Sequence, residues 1–258
     1  MESVKLWYHT MELAPGEVTP GWFDLRPILD RLPWPDVAGK RCLDVGTYDG
    51  HLAFELERRG ASEVIALDIA DHESWDWPLR ARRRGIGLAE IAGEKGAGFR
   101  AAAARLGSKA ERVELSVYDA TPERLGRFDV VVCGDLLLHL RDPVRAVEAI
   151  HGVCDTHFLS HEEILPRPLV FNRDRAVVEL DGTSDLCQWW TPSRTGHQRI
   201  VEAGGFDVER AVAPYCVPFG PAHPRVPLSV ASLRRRAAVW AQTRATGVPH
   251  AAVLARPI

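Results

Sequence analysis

Short apolar runs, each closed by a polar or glycine turn, recur along the chain and alternate with stretches of helical spacing. Residues 42–45 and 64–67 are two such runs, and Phe128-Asp129-Val130-Val131-Val132-Cys133 is the most apolar. The last reads as a parallel strand buried on both faces. Val113-Glu114-Leu115-Ser116-Val117 alternates and predicts a strand ending at Tyr118-Asp119-Ala120, and residues 157–161 predict another, with Glu162 and Glu163 at its exit. Residues 206–212 and 251–255 supply two late strands, and 177–180 a strand within an insertion. Between them lie helical patterns: after Gly50, across 86–106 with a start near Gly98, from the Asp142 cap and Pro143 to Ala149, across 194–203 up to Gly204-Gly205, and a basic one from Ser229 to Arg244. A short helix is expected over 23–32. Alternating βα units predict a Rossmann-like α/β fold with a mostly parallel sheet and helices on both faces.

Composition narrows this picture modestly. A chain of 258 residues, 46% hydrophobic and 26% charged, suits one globular domain. We divide it into a lid or flap over 1–38, a nucleotide-binding core over 39–165, and substrate-side insertions with the C-terminal strands over 166–258. The net charge of −3 argues against a polyanion as partner, leaving nucleic-acid contact to the basic runs 80–84 and 234–236. The five cysteines form no C-x-x-C pair, and no spacing of Asp, Glu or His marks a cation site. No run approaches 18 apolar residues and no signal-peptide pattern opens the chain, so a cytoplasmic protein is expected.

The chemistry gathers where the strand 42–45 meets Gly46-Thr47-Tyr48-Asp49-Gly50. Gly46 permits a sharp turn and close ligand approach, and the following helix offers free N–H groups at its start. Asp68 closes the next strand 22 residues beyond Gly46, at the spacing of an acid that grips ribose hydroxyls. Tyr48 stands where a dinucleotide fingerprint needs its second glycine, so a pyrophosphate would meet a bulky side chain. A nucleoside carrying an amino-acid tail needs no such gap.

The loop, from Asp44 through Gly46, Thr47, Tyr48 and Gly50, together with Asp68 and Ile69, resembles the first motifs of class I S-adenosylmethionine methyltransferases, whose sheet has seven strands. The Gly-Thr-aromatic-Asp-Gly variant is similar to a subgroup that carboxymethylates the wobble uridine of tRNA. Trp7-Tyr8-His9-Thr10, Val18-Thr19-Pro20-Gly21 and Trp189-Trp190-Thr191-Pro192 resemble further segments of that subgroup. The resemblance implies S-adenosylmethionine as cofactor. It implies adenine contacts from Tyr118, Asp119 and Ala120, with Asp119 accepting from the exocyclic amine, and a fourth motif from Gly134 through His139 to Pro143. The tRNA enzymes hold the extra carboxylate of their cofactor with an aromatic residue before that histidine. Leu138 stands there and cannot donate a hydrogen bond, which points to ordinary S-adenosylmethionine.

Methyl transfer to a hydroxyl or ammonium needs alignment and a proton acceptor. The candidates are His139, His161, Glu162, Glu163 and His9, at the ligand edge of the sheet or on the lid. Trp7, Tyr8, His9, Trp189 and Trp190 are candidate acceptor walls. The expected reaction is O- or N-methylation of a small molecule. The alternatives are modification of a tRNA wobble uridine and nucleoside binding without turnover.

Overall fold

In the computed structural model, residues 4–84, 93–166, 175–183, 187–224 and 229–258 are described. The chain opens with a hairpin, β1 (Glu12–Ala14) and β2 (Glu17–Val18). The βα units follow as β3 (Arg41–Val45), α1 (His51–Arg58), β4 (Glu63–Asp68), α2 (Leu79–Arg84), α3 (Ala97–Leu106), β5 (Glu111–Glu114), α4 (Pro122–Leu125), β6 (Phe128–Gly134), α5 (Pro143–Val153) and β7 (Cys154–Glu163). The last third supplies β8 (Val178–Leu180), β9 (Trp190–Pro192), α6 (Arg194–Ala203), β10 (Phe206–Ala211), β11 (Tyr215–Val217), α7 (Val230–Thr243) and β12 (Val248–Pro257).

The main sheet runs β10–β12–β7–β6–β3–β4–β5. Its pairs from β7 to β5 are parallel, and β12 is antiparallel to both neighbours. This is the expected Rossmann-like α/β fold. An eighth strand adds to the expected seven, because β11 continues along the edge of β12 beyond β10, pairing Tyr215 with His250. Side chains alternate across the sheet and divide the core into two layers. One gathers Cys42, Val64, Val130, Val132 and Leu159 under α1 and the lid. The other gathers Leu43, Val131, Phe128, Phe158 and Phe206 under α5 and α6. Gly204 lets α6 lie against α5, since a Cβ there would come within 2.3 Å of Val147.

Several local readings shift. The helix expected over 23–32 is a 3-10 turn over Arg26–Arg31, because Phe23 is drawn into bridges with His9 and Phe219. The strand expected over 113–117 ends at Glu114, and Val117–Asp119 form a 3-10 turn after Ser116 accepts from the Tyr118 amide. Trp190 belongs to β9, a strand not expected there, which pairs with β8, while the helix spans Arg194–Ala203 after the Ser193 cap as expected. The helix from Pro143 continues to Val153. The first half of the pattern over 86–106 falls largely outside the described residues, and α3 begins at Ala97.

Candidate active site

The C-terminal ends of β3, β4, β6 and β7 open into a cavity of about 540 Å³. Its floor is the glycine loop. Gly46 (φ +81°) turns the chain, and a Cβ there would press on Leu136 at 3.1 Å. Tyr48 adopts the left-handed conformation (φ +49°), unusual for a residue with a side chain, while its amide donates to Asp68. Asp68 also accepts from the Ile69 amide and, at 2.7 Å, from Lys95 Nζ. The Lys95 ammonium lies 4.7 Å from the centre of the Tyr48 ring and 5.6 Å from that of Trp75. Burial lowers its pKa, with Asp68 opposing. Asp44 is buried at the end of β3, and burial pushes its carboxyl up to about 7.

Asp49 fastens the N-terminal segment to this loop. Its carboxylate accepts from the amides of Tyr8 and His9 at 2.9 and 2.8 Å and pairs with His9 Nδ1. Burial alone would raise Asp49 and lower His9, but their mutual attraction reverses both shifts. Tyr8 and His9 are thereby set into the cavity wall, joined by Trp22, Phe23 and His223.

At the other end, Asp135 (φ +51°) follows β6. Its carboxylate accepts from the Glu163 amide at 3.0 Å and faces His250 Nε2 at 2.9 and 3.0 Å. His161 Nε2 lies 3.6 Å from the same carboxylate, its ring stacked on that of His250 at 4.8 Å. Burial would raise Asp135, but His250 and His161 pull it well below the ordinary carboxylate range. Gly134 makes room for this cluster, since a Cβ there would stand 3.0 Å from the His161 ring.

His139 lines the cavity with Nδ1 3.0 Å from the Cys187 carbonyl. A carbonyl only accepts, so Nδ1 carries the proton and Nε2 is the free base. Burial lowers its pKa.

The structure brings Gly46, Tyr48, Asp68, Ile69, Tyr118, Gly134, His139, Tyr8 and His9 to one cavity. Thr47, Asp44 and Gly50 support the loop from behind, with the Gly50 amide donating to the Thr47 carbonyl. Other candidates stand apart. The Asp119 side chain is 57% exposed and faces Arg124 at 3.9 Å, while Ala120 packs in the core. Trp7 is buried in the core. Trp189 and Trp190 donate their indole N–H groups to the carbonyls of Asp76 and Arg141. His161 lies one layer behind the cavity wall. Glu162 points away from the cavity and accepts from the amides of Leu136 and Leu137, while Glu163, on the opposite side of the strand, lines it. Trp22, Trp75, Lys95, Asp135 and His250 also line the cavity and were absent from the expected site. Asp135 had a signal, its place at a strand's C-terminal end. His250 had none, since its partners lie far away in the chain.

A family model described as a methyltransferase domain matches residues 23–209. The chain belongs to that methyltransferase family. Its Rossmann-like α/β fold is that of class I methyltransferases, and solved structures of similar fold hold S-adenosylmethionine or S-adenosylhomocysteine. The methyltransferase is 27% identical over 186 residues to the ubiquinone biosynthesis O-methyltransferase of Acinetobacter baylyi, covering 67% of this chain and 68% of that one. Its fold is similar to that of the 1,6-didemethyltoxoflavin-N1-methyltransferase of Burkholderia thailandensis, solved with its substrate and S-adenosylhomocysteine (TM-score 0.52, 16% identity, 90% and 77% of the two chains). It is also similar to the magnesium protoporphyrin IX methyltransferase of Synechocystis with bound S-adenosylmethionine (TM-score 0.50, 11% identity, 86% and 72%). The cavity of this methyltransferase suits the cofactor: a glycine turn open to close approach, a buried acid at the end of β4, and an apolar slot of Leu115, Val117 and Leu140. Three donors occupy Asp68, and a carboxylate has about four acceptor positions, so one is left for a ribose hydroxyl. Among the described residues no helix is long and apolar enough to cross a membrane.

Proposed function

We propose that this methyltransferase methylates an oxygen, or by the same geometry a nitrogen, of a small aromatic molecule held in the half of the cavity away from Asp68. The observation that carries this is the continuity of one cavity. It runs from the glycine loop and Asp68 to Asp135, Glu163 and His250, with Tyr8, Trp22, Phe23 and Trp75 between. At about 540 Å³ it is of the size that encloses small ligands. The name of the Acinetobacter relative supports an oxygen acceptor.

Bound S-adenosylmethionine supplies an electrophilic methyl on a sulfonium. Asp68 would hold the ribose where the Gly46 turn lets the nucleoside approach, and the Asp49–His9 anchor keeps the lid closed over it. The aromatic wall orients the acceptor and excludes water. His139 Nε2 would take the acceptor's proton as the acceptor oxygen gains the methyl and the C–S electron pair returns to sulfur. The likeness to tRNA wobble-uridine enzymes is a finer proposal carried by the Gly-Thr-aromatic-Asp-Gly loop and the lid segment. Leu138, buried at the cavity wall, supports the unmodified cofactor instead.

The test is product analysis. The enzyme is incubated with S-adenosylmethionine and either a panel of phenols, catechols and aromatic amines or bulk tRNA, and products are read by mass spectrometry. Gain of one methyl on a panel member is expected. Modification of tRNA alone, with binding that weakens steeply as salt rises, would overturn the small-molecule reading.

A further inference from the structure

We propose that Asp135, His161 and His250 form a binding site for a divalent transition-metal cation of the zinc type, open toward the acceptor half of the cavity. The three come from the end of β6, the end of β7 and the start of β12, and one ligand atom from each lies within 4.8 Å of the others. Imidazole nitrogens and carboxylate oxygens bind zinc at about 2.0–2.2 Å, so neighbouring ligand atoms stand roughly 3–3.5 Å apart. The Asp135 oxygens lie 2.9 Å from His250 Nε2 and 3.6 Å from His161 Nε2, which brackets that spacing.

The second observation is the orientation of the imidazoles. His250 Nδ1 faces the Val248 carbonyl at 2.8 Å, and His161 Nδ1 faces the Tyr215 hydroxyl at 2.7 Å. A carbonyl and a carboxylate both only accept, so His250 Nδ1 and Nε2 each carry a proton, and a cation would bind by displacing the one on Nε2; both Nε2 atoms, of His250 and His161, converge on one carboxylate. His161 Nε2 is fully buried and has no hydrogen-bond partner. His250 faces Asp135 at 2.9 Å, and a bound cation would supply positive charge to the carboxylate in place of its proton. Two histidines and one carboxylate suit cations that accept imidazole, such as zinc or cobalt, better than magnesium or calcium. Asp135 and His250 line the cavity, with Glu163 beside them, so the uncovered coordination positions point toward the acceptor. An acceptor hydroxyl bound there would lose its proton more readily, which favours acceptors presenting one or two adjacent oxygens. That last step rests on the methyl-transfer reading above; the cation site does not.

The experiment is titration of tag-free protein with cobalt(II), read by visible absorption, followed by displacement with zinc(II). One cobalt per chain is expected. Asp135→Asn and His250→Gln should each weaken binding at least tenfold. His197→Gln, which removes a buried histidine outside the cluster, should bind as the wild type does. Tyr215→Phe keeps all three ligands and removes only the oxygen that holds His161, so binding about tenfold weaker is expected. Calorimetry with S-adenosylmethionine on each variant reports separately on the fold and on the cofactor reading. Absence of stoichiometric cobalt binding, or equal binding by Asp135→Asn and His250→Gln variants that still bind cofactor, would overturn the site. Loss of cofactor binding by the wild type would instead overturn the cofactor assignment and leave the cobalt result standing.

Discussion

Asp49 sits in the turn that meets the cofactor, yet its three bonds go to the lid. Deleting it leaves His9 buried beside His51 without its counter-charge. Breaking one side of a buried ion pair costs about 3–5 kcal/mol. Asp49→Ala should therefore lose stability of that order in urea unfolding and expose the lid to limited proteolysis; an unchanged midpoint would show that the lid is held by packing alone. His139 supports a second residue-scale prediction. A base acts in its neutral form, and burial lowers this imidazole below its ordinary value of about 6.5. Activity should rise with pH through a value below about 6.5 and stay flat above it, and His139→Ala should remove that limb with kcat reduced ~10²- to 10⁴-fold. Retention of the full single-turnover rate by His139→Ala would assign the proton transfer elsewhere.

Strand β7 carries two kinds of information on its two faces. His161 and Glu163 look toward Asp135 and the cavity, while Ser160 accepts or donates toward His197 of α6 at 2.8 Å and Glu162 pins the loop after β6. A strand's period of two separates these roles, and a carboxylate pair read only from sequence does not reveal which member faces inward. The parallel strands were legible because runs such as 128–133 are apolar on both faces, and α6 because Ser193 and Gly204 mark its ends. The short strands β1, β2, β9 and β11 were not, since two or three residues carry little alternation; β8, equally short, was legible from the run 177–180. His197 tests the β7–α6 contact. It is fully buried, and burial lowers its pKa to about 4. The unfolded chain takes up its proton near 6.5. The folded pKa is depressed, so the contribution is fully present above about 6.5 and is lost as pH falls toward 4. Across that window the slope of stability against pH contains about 1.4 kcal/mol per pH unit from this group. His197→Gln should flatten the slope by that amount in urea titrations at pH 5 and 6.5. An unaltered slope would mean that the imidazole is protonated in the fold.

At the scale of the whole molecule, the cavity joins a half that sequence describes well to one that it barely describes. The cofactor half is local: loop, helix and acid lie within residues 44–69, and one motif covers them. The acceptor half collects the lid near residue 8, Trp75, Asp135, Glu163 and His250. Only the antiparallel placement of β12 beside β7, pairing His250 with Glu163, brings the last of these to the first. No spacing along the chain encodes that register; of the tryptophans expected as acceptor walls, Trp189 and Trp190 donate to loop carbonyls and Trp7 packs in the core. Cofactor binding is where the two halves become measurable together. A ligand that binds only the folded state adds RT ln(1 + [L]/Kd), about 2.7 kcal/mol at a hundredfold excess over Kd. For a chain of this size each kcal/mol raises Tm by roughly 2–4 °C, so saturating S-adenosylmethionine should raise Tm by about 5–10 °C. Asp68 accepts from Tyr48, Ile69 and Lys95, and it is the acid expected to meet the ribose. A lost hydrogen bond to a charged group is worth about 1.5–3 kcal/mol, or ten- to a hundredfold in affinity. Asp68→Asn keeps the shape of the site but leaves Lys95 buried without its counter-charge, so the unliganded Tm should fall as well, and the readout is the S-adenosylmethionine-induced shift, most of which should disappear. If Asp68→Asn shows the same shift as the wild type, the ribose is held elsewhere and the cofactor lies differently across the end of β4.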